Sequence, residues 1–164
     1  MIKQYWNIRH IRNGEVIWQE EYKHNAIADE GAEAILEVFY RASTAYAPAT
    51  FYVRLCDDTL VVSDTLSSVQ NEPSGNGYAA QEVTRDTTGF PMKDVASNGN
   101  QRLTSKTVTF TASGGSIGPV TTAYIATTSD NTGKLIGYLP LSMQRTVLNG
   151  DAMEYEFFAE EGNS

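Results

Sequence analysis

Asn25–Tyr40, NAIADEGAEAILEVFY, decides the fold. Ile27, Gly31, Ala34, Ile35, Val38 and Phe39 recur at spacings of three and four, which draws one apolar stripe along a helix. The pattern predicts a helix over about residues 27–41, with Asp29 placed to accept the free N–H groups of its first turn. Glu30 and Glu33 fall near the positive end of the helix dipole, and Glu37 and Arg41 form an i, i+4 pair on the outer face. A single amphipathic helix needs an apolar surface to cover. The rest of the chain reads as strand, so this helix is expected to plug or flank a β structure.

The strand signals lie on both sides of it. Gln4–Ile11 and Val16–Tyr22 flank Arg12-Asn13-Gly14-Glu15, and Asn-Gly is the strongest short hairpin signal because both turn residues tolerate positive φ. Trp6 and Ile8 share one face of the first run, and Val16, Trp18 and Tyr22 share one face of the second. These aromatics suit core or cross-strand packing. The other reading makes residues 1–22 a hairpin arm that projects and pairs with a neighbour, since a lone ribbon is marginal.

Beyond the helix, Phe51–Cys56 is apolar enough for a central strand. Asn71–Tyr78 is dense in turn formers, and 86–100 reads as a long exposed loop bearing Phe90 and Met92. Thr104–Thr111 alternates, with Val108 and Phe110 on one face and threonines on the other. Val120–Thr127 and Leu135–Leu141 flank an Asp130–Gly133 turn, and Pro140 near the end of the second run suits an edge or a strand terminus. Asn149-Gly150 is a second hairpin signal, ahead of Met153–Phe158. Short strands punctuated this way predict a mainly β domain, an antiparallel sandwich or jelly-roll-like body spanning residues 1–164.

Composition excludes several classes. The 164 residues contain 41% hydrophobic and 10% aromatic side chains, enough for a packed core without staples. A net charge of −8 opposes direct nucleic-acid binding and adhesion to anionic membranes. The lone Cys56 allows no internal disulfide and too few thiolates for zinc, and it points to a reducing compartment such as a cytoplasm. There is no apolar run of membrane-spanning length, and MIKQYWNIRH lacks the apolar core of an export signal.

Chemistry is thin. Gly114-Gly115-Ser116-Ile117-Gly118 spells a nucleophile elbow, but strand-forming residues follow it where a hydrolase needs a helix. Asp57, Asp58 and Asp64 lack the alternating spacing of an EF-hand loop, so a turn or cap is expected there. His10 and His24 belong to no spaced metal motif, and Cys56 in its apolar run suits a buried, inert thiol. No enzyme, metal or cofactor is expected.

The order of the pieces resembles that of small structural proteins of tailed bacteriophages. The residues that carry it are Asn25, Gly31, Ile35, Leu36 and Phe39, then Phe51-Tyr52-Val53-Arg54-Leu55, Glu72-Pro73, Gly77-Tyr78 and Val83-Thr84-Arg85. Val108-Thr109-Phe110, Ile117-Gly118, Ala123–Ala126, Gly133–Ile136, Thr146-Val147 and Gly150-Asp151 continue it. The chain departs from it at Ala79 and Ala80, where similar proteins often place an arginine. The resemblance implies a β-sandwich or jelly-roll-like virion component without catalysis, assembled in the host bacterial cytoplasm. The first expectation is a capsid cement or decoration protein on the capsid surface, acting as a homo-oligomer, dimer or trimer, on the major capsid protein. Repetition of modest contacts would supply its grip. Tyr5, Trp6, Ile8, Trp18, Phe90 and Met92 are the candidate protein-contact residues, because aromatic anchors dominate interfaces. The alternatives are a tail- or baseplate-associated protein, or a carbohydrate-binding module that would use Tyr5, Tyr46, Tyr78 or Tyr138.

Overall fold

The computed structural model describes residues 2–44 and 46–162. The described residues form two antiparallel sheets and one α-helix. The first sheet runs β2 (Glu15–His24), β1 (Ile2–Arg12), β11 (Ala152–Glu161), β7 (Gln101–Thr104), β6 (Met92–Val95), and β8 (Val108–Thr111) also pairs with β11. The second runs β3 (Ala26–Ile27), β10 (Leu135–Val147), β9 (Ile117–Ala126), β4 (Thr50–Cys56), β5 (Gln81–Thr84). Their facing sides share one apolar core, with Trp6, Ile8, Phe110, Tyr155 and Phe157 from the first sheet against Val53, Leu55, Val120, Ile125 and Leu139 from the second.

The outer face of the second sheet is also buried. The segment 57–71 lies over it, with a 3-10 turn at Leu66–Ser68, and presses Leu60, Leu66 and Val69 onto Tyr124, Leu135 and Tyr138. Asp58 and Asp64 hold this cover as turn acceptors: Asp58 takes the N–H groups of Thr59 (2.8 Å) and Gln70 (2.9 Å), and Asp64 that of Val61 (2.8 Å). Cys56 is enclosed beneath it, and burial pushes its thiol up to about 12.

Several expectations need correction. Helix α1 is Asp29–Arg41, because Ala26–Ile27 pair with β10 first. Asp29 does not cap it. The residue before the helix is Ala28, and the first donors find carbonyls from elsewhere: Ala28 N–H on Ile136 O (3.1 Å), Asp29 N–H on Val62 O (2.8 Å). Only Gly31 and Ala34 of the apolar stripe are buried, so the helix leans on β10 by its smallest residues and does not plug the core. The Glu37–Arg41 pair forms at 2.6 Å.

The first hairpin turns at Asn13 and Gly14, both at positive φ (52° and 80°). It does not project. β1 lies between β2 and β11 and pairs with β11 from Ile2 to Ile11. The arm reading fails because β1 carries part of the core, Trp6 and Ile8 being 0% exposed. Asn149-Gly150 makes a turn but not a hairpin: β10 belongs to one sheet and β11 to the other, so the chain changes layers there. Thr104–Thr111 splits into β7 and β8 because Ser105–Thr107 place three residues opposite two on β11. That bulge is held by Ser105, whose backbone N–H donates to Phe157 O (2.9 Å) and whose hydroxyl accepts the Phe157 N–H (2.9 Å). Pro140 stands inside β10, opposite Thr122 of β9 but past the end of the two-residue β3, so that its other side is an edge.

Candidate contact surface

The two sheets gape at the end of the sandwich where α1 sits. The mouth is a groove of about 680 Å³. Ala34, Ile35, Val38 and Phe39 of α1 form one wall, and Ile2, Leu103 and Ala159 of the first sheet form the other. Ile125, Ile136 and Phe157 close its depth, and Phe51, Tyr46 and Phe90 line it as well. Phe90 is fixed by an edge-on contact with Phe157 (5.3 Å between ring centres).

The polar rim is built locally. The Asp86 carboxylate accepts from the N–H groups of Gly89 (3.0 Å) and Thr88 (2.8 Å) and from the Thr84 hydroxyl (2.7 Å). Those bonds, that of Gly89 foremost, hold its carboxyl below the ordinary value. They also fold the turn that delivers Phe90. Arg85 lies over the Phe51 ring at 5.6 Å and donates to Pro48 O (2.9 Å), so a cation stands at the groove's edge.

Beside the groove α1 exposes Leu36, Phe39 and Tyr40, with Phe39 78% and Tyr40 75% accessible and their rings in contact at 4.9 Å. Large side chains this exposed, next to an open apolar groove, are characteristic of a contact surface. The anchoring of α1 explains why they stay outward. Glu30 accepts the N–H groups of Leu135 (2.8 Å) and Leu66 (3.0 Å) and pairs with Lys134 (3.1 Å). Burial works against that carboxylate, but these donors outweigh it and keep its pKa below the ordinary value. The helix orientation is thereby set by the bonds of Glu30 and the close seat of Gly31 in its first turn.

The six candidate contact residues do not converge. Phe90 lines the groove, and Met92 is exposed on the edge strand β6. Trp6 and Ile8 are core residues, and Trp18 is half-buried under the Arg145 guanidinium (4.9 Å). Tyr5 stacks on Tyr22 (4.3 Å) on the outer face of the first sheet. The tyrosines considered for glycan binding share no face either: Tyr78 stacks on Phe110, Tyr138 is buried, and Tyr46 packs beside Lys134. Sequence reasoning missed Phe39, Tyr40 and Leu36. The stripe places Phe39 on the core side, but β10 covers that side only at Gly31 and Ala34, so Phe39 ends at the exposed margin of the groove wall.

A second cluster binds residues that carried the resemblance. Arg54 is 2% exposed. It makes a two-pronged pair with Glu72 (Nε to Oε1 2.9 Å, and Nη2 to Oε2) and donates to Asp130 O (2.7 Å) and Asn131 Oδ1 (2.9 Å). Tyr78 donates to Glu72 (2.6 Å) and accepts the Leu55 N–H (3.0 Å). Burial, with Glu72 beside it, pushes the Tyr78 phenol above its ordinary value. Arg54, Glu72 and Tyr78 each find partners, which makes this a fastener between β4, the stretch 72–78 that follows the cover segment, and the Asp130-Asn131 turn.

Residues 26–160 match the family described as podophage GP4 fiber I protein gp80. The chain belongs to this family. It is a structural protein of a bacteriophage virion. No curated protein matches the chain. The matched span takes in α1, Phe51, Phe90, Arg54, Glu72 and Tyr78, and so most of the groove and all of the fastener.

Proposed function

We propose that the chain is a non-catalytic, fibre-associated subunit of a podophage tail, and that it docks on another virion protein through the groove and the exposed end of α1. The observation that carries this reading is the family match over residues 26–160, whose description is a fiber protein. The exposed aromatics supply the means. Burying Phe39 and Tyr40 against an apolar partner contributes favourable transfer free energy, and aromatic anchors of this sort carry a large share of docking energies. A capsid-surface position with the major capsid protein as partner uses the same chemistry, so location has to be measured. Fractionating virions into heads and detached tails and quantifying the chain by mass spectrometry does so. We expect it with the tails and fibres; recovery with DNA-filled heads alone would overturn the fibre reading in favour of decoration.

The docking face has its own test. Phe39→Glu adds a charge at a solvent-exposed site and is expected to change folding stability by no more than about 0.5 kcal/mol. It should nevertheless weaken docking by about 2 kcal/mol or more. Complementing a phage that lacks the gene with this variant should give particles depleted of the chain, read by immunoblot of purified virions. Normal incorporation would mean that α1 is not the contact.

A further inference from the structure

The side of the sandwich opposite the groove's polar rim is closed by a seam between edge strand β2 and the far half of β10. Two ties hold it. Glu20 of β2 accepts the Ser142 N–H of β10 (2.7 Å). Arg145 of β10 lies over the Trp18 ring of β2 and reaches the buried His10 of β1, with Nη2 2.8 Å from Nδ1. His10 is 1% exposed and stands directly opposite Trp18 in the β1–β2 ladder. Its other nitrogen, Nε2, is 3.0 Å from Asp151 Oδ2. Arg145 can only donate, so Nδ1 must accept, and the single ring proton sits on Nε2 and is donated to Asp151. The tautomer is fixed from both sides.

Charges crowd this imidazole from every neighbour. Arg12 of β1 grips Asp151 with Nε at 3.0 Å and Nη2 at 2.8 Å. Arg145 approaches from β10, Glu20 lies further along β2, and Met153 and the Tyr155 phenol face inward from β11. Among the described residues Asp151 is the one carboxylate bonded to His10, and Arg12 already occupies it. A second proton on His10 has one place to go, Nδ1, where the Arg145 donor stands. Protonation therefore removes the Arg145 acceptor and puts a third cation among Arg12, Arg145 and one carboxylate.

We propose that His10 is an acid-sensitive latch: protonation at Nδ1 expels Arg145, frees Trp18 and loosens β2 from the seam while the two sheets stay paired. This inference is independent of where on the virion the protein sits. Its electrostatics agree in sign. Burial is the largest influence on His10 and lowers its pKa, Arg145 and Arg12 lower it further, and the Asp151 bond offsets part of this. With the folded value below the unfolded value of about 6.5, the unfolded chain binds more protons in between, so stability falls as pH drops through that interval. Arg12 holds Asp151 down to about 2, so the carboxylate stays charged throughout and is not what titrates.

The test is an NMR titration of the whole chain from pH 7.5 to 5. His10 and the exposed His24 are followed by their imidazole shifts, and Trp6 and Trp18 by their indole N–H signals. We expect His10 to titrate below about 6.5. The Trp18 signal should move with it and the Trp6 signal should not. Amide exchange in β2, corrected for its intrinsic pH dependence, should quicken about tenfold while β9 is unchanged. In His10→Gln, whose amide can accept from Arg145 and donate to Asp151 without titrating, the Trp18 transition should vanish. The latch is overturned if His10 titrates at or above the unfolded value, or if β2 loosens equally in the glutamine variant. Should that variant fail to fold, the His10 and Trp18 titrations of the natural chain decide alone.

Discussion

Glu72→Ala is expected to cost about 3–5 kcal/mol of folding stability, although Glu72 is itself partly exposed. The loss arises at Arg54. Its guanidinium is buried among Glu72, Asp130, Asn131 and the Tyr124 ring, and among the described residues Glu72 is the one acid paired with it. Asp130 O, Asn131 Oδ1 and the Tyr124 ring at 5.3 Å would remain, but they are neutral and cannot balance a desolvated charge. Tyr78 would lose its 2.6 Å acceptor as well and keep only the Leu55 carbonyl at 3.5 Å. Glu72→Gln keeps the shape and one acceptor oxygen, so a smaller loss of about 1–3 kcal/mol is expected. The decisive comparison is Arg54→Met together with Glu72→Ala. Removing both charges leaves no buried charge unpaired, so the double variant should be more stable than Glu72→Ala alone. Urea unfolding of the four proteins reads this directly. If the double variant is no better than the single, the cost belongs to lost packing and the fastener is not electrostatic.

What could be read from the sequence follows the range of the forces involved. The helix, the Asn13-Gly14 hairpin and the alternation of Val108 and Phe110 depend on neighbours within a few residues, so their patterns are visible in the chain. Asn149-Gly150 shows the limit: the turn forms, with Asp151 N–H on Leu148 O (2.8 Å), but whether the chain then returns along its own sheet depends on the partners of β11, which lie in β1, β7 and β8. Trp6 and Ile8 alternate correctly, yet alternation cannot distinguish a strand inside a sheet from one on an arm. The groove was the least legible feature, since it joins Ile2, Phe39, Phe51, Phe90, Leu103 and Phe157 across the whole chain. Phe90 was found because an apolar residue in a polar loop is conspicuous. Phe39 is illegible in the same pattern, because an apolar stripe defines a face but not which part of that face is covered. Arg54 and Glu72 carried the family resemblance as separate fragments, and the fold shows why they belong together.

The same helix makes the last expectation run against helix propensity. In an open helix, replacing glycine by alanine stabilises by about 1 kcal/mol. Gly31→Ala should instead destabilise, by about 3 kcal/mol. A Cβ at Gly31 would lie 2.0 Å from the Ile136 carbonyl oxygen and 2.7 Å from its carbon, both backbone atoms of β10 that no side-chain rotation can clear. That carbonyl also accepts the Ala28 N–H, so pushing β10 and α1 apart strains the helix's first anchor. The displacement would carry to Glu30, one residue away, and to its bonds with Leu66 and Leu135. Ala32→Gly, at an exposed position on the same helix, is the control and should lose only about 1 kcal/mol from propensity. Because the groove's helical wall would move with α1, Gly31→Ala should also impair incorporation into virions, whereas Ala32→Gly should not. Equilibrium unfolding of the two variants separates the effects, and a Gly31→Ala protein as stable as the natural chain would falsify the close approach of α1 to β10 on which the wall depends.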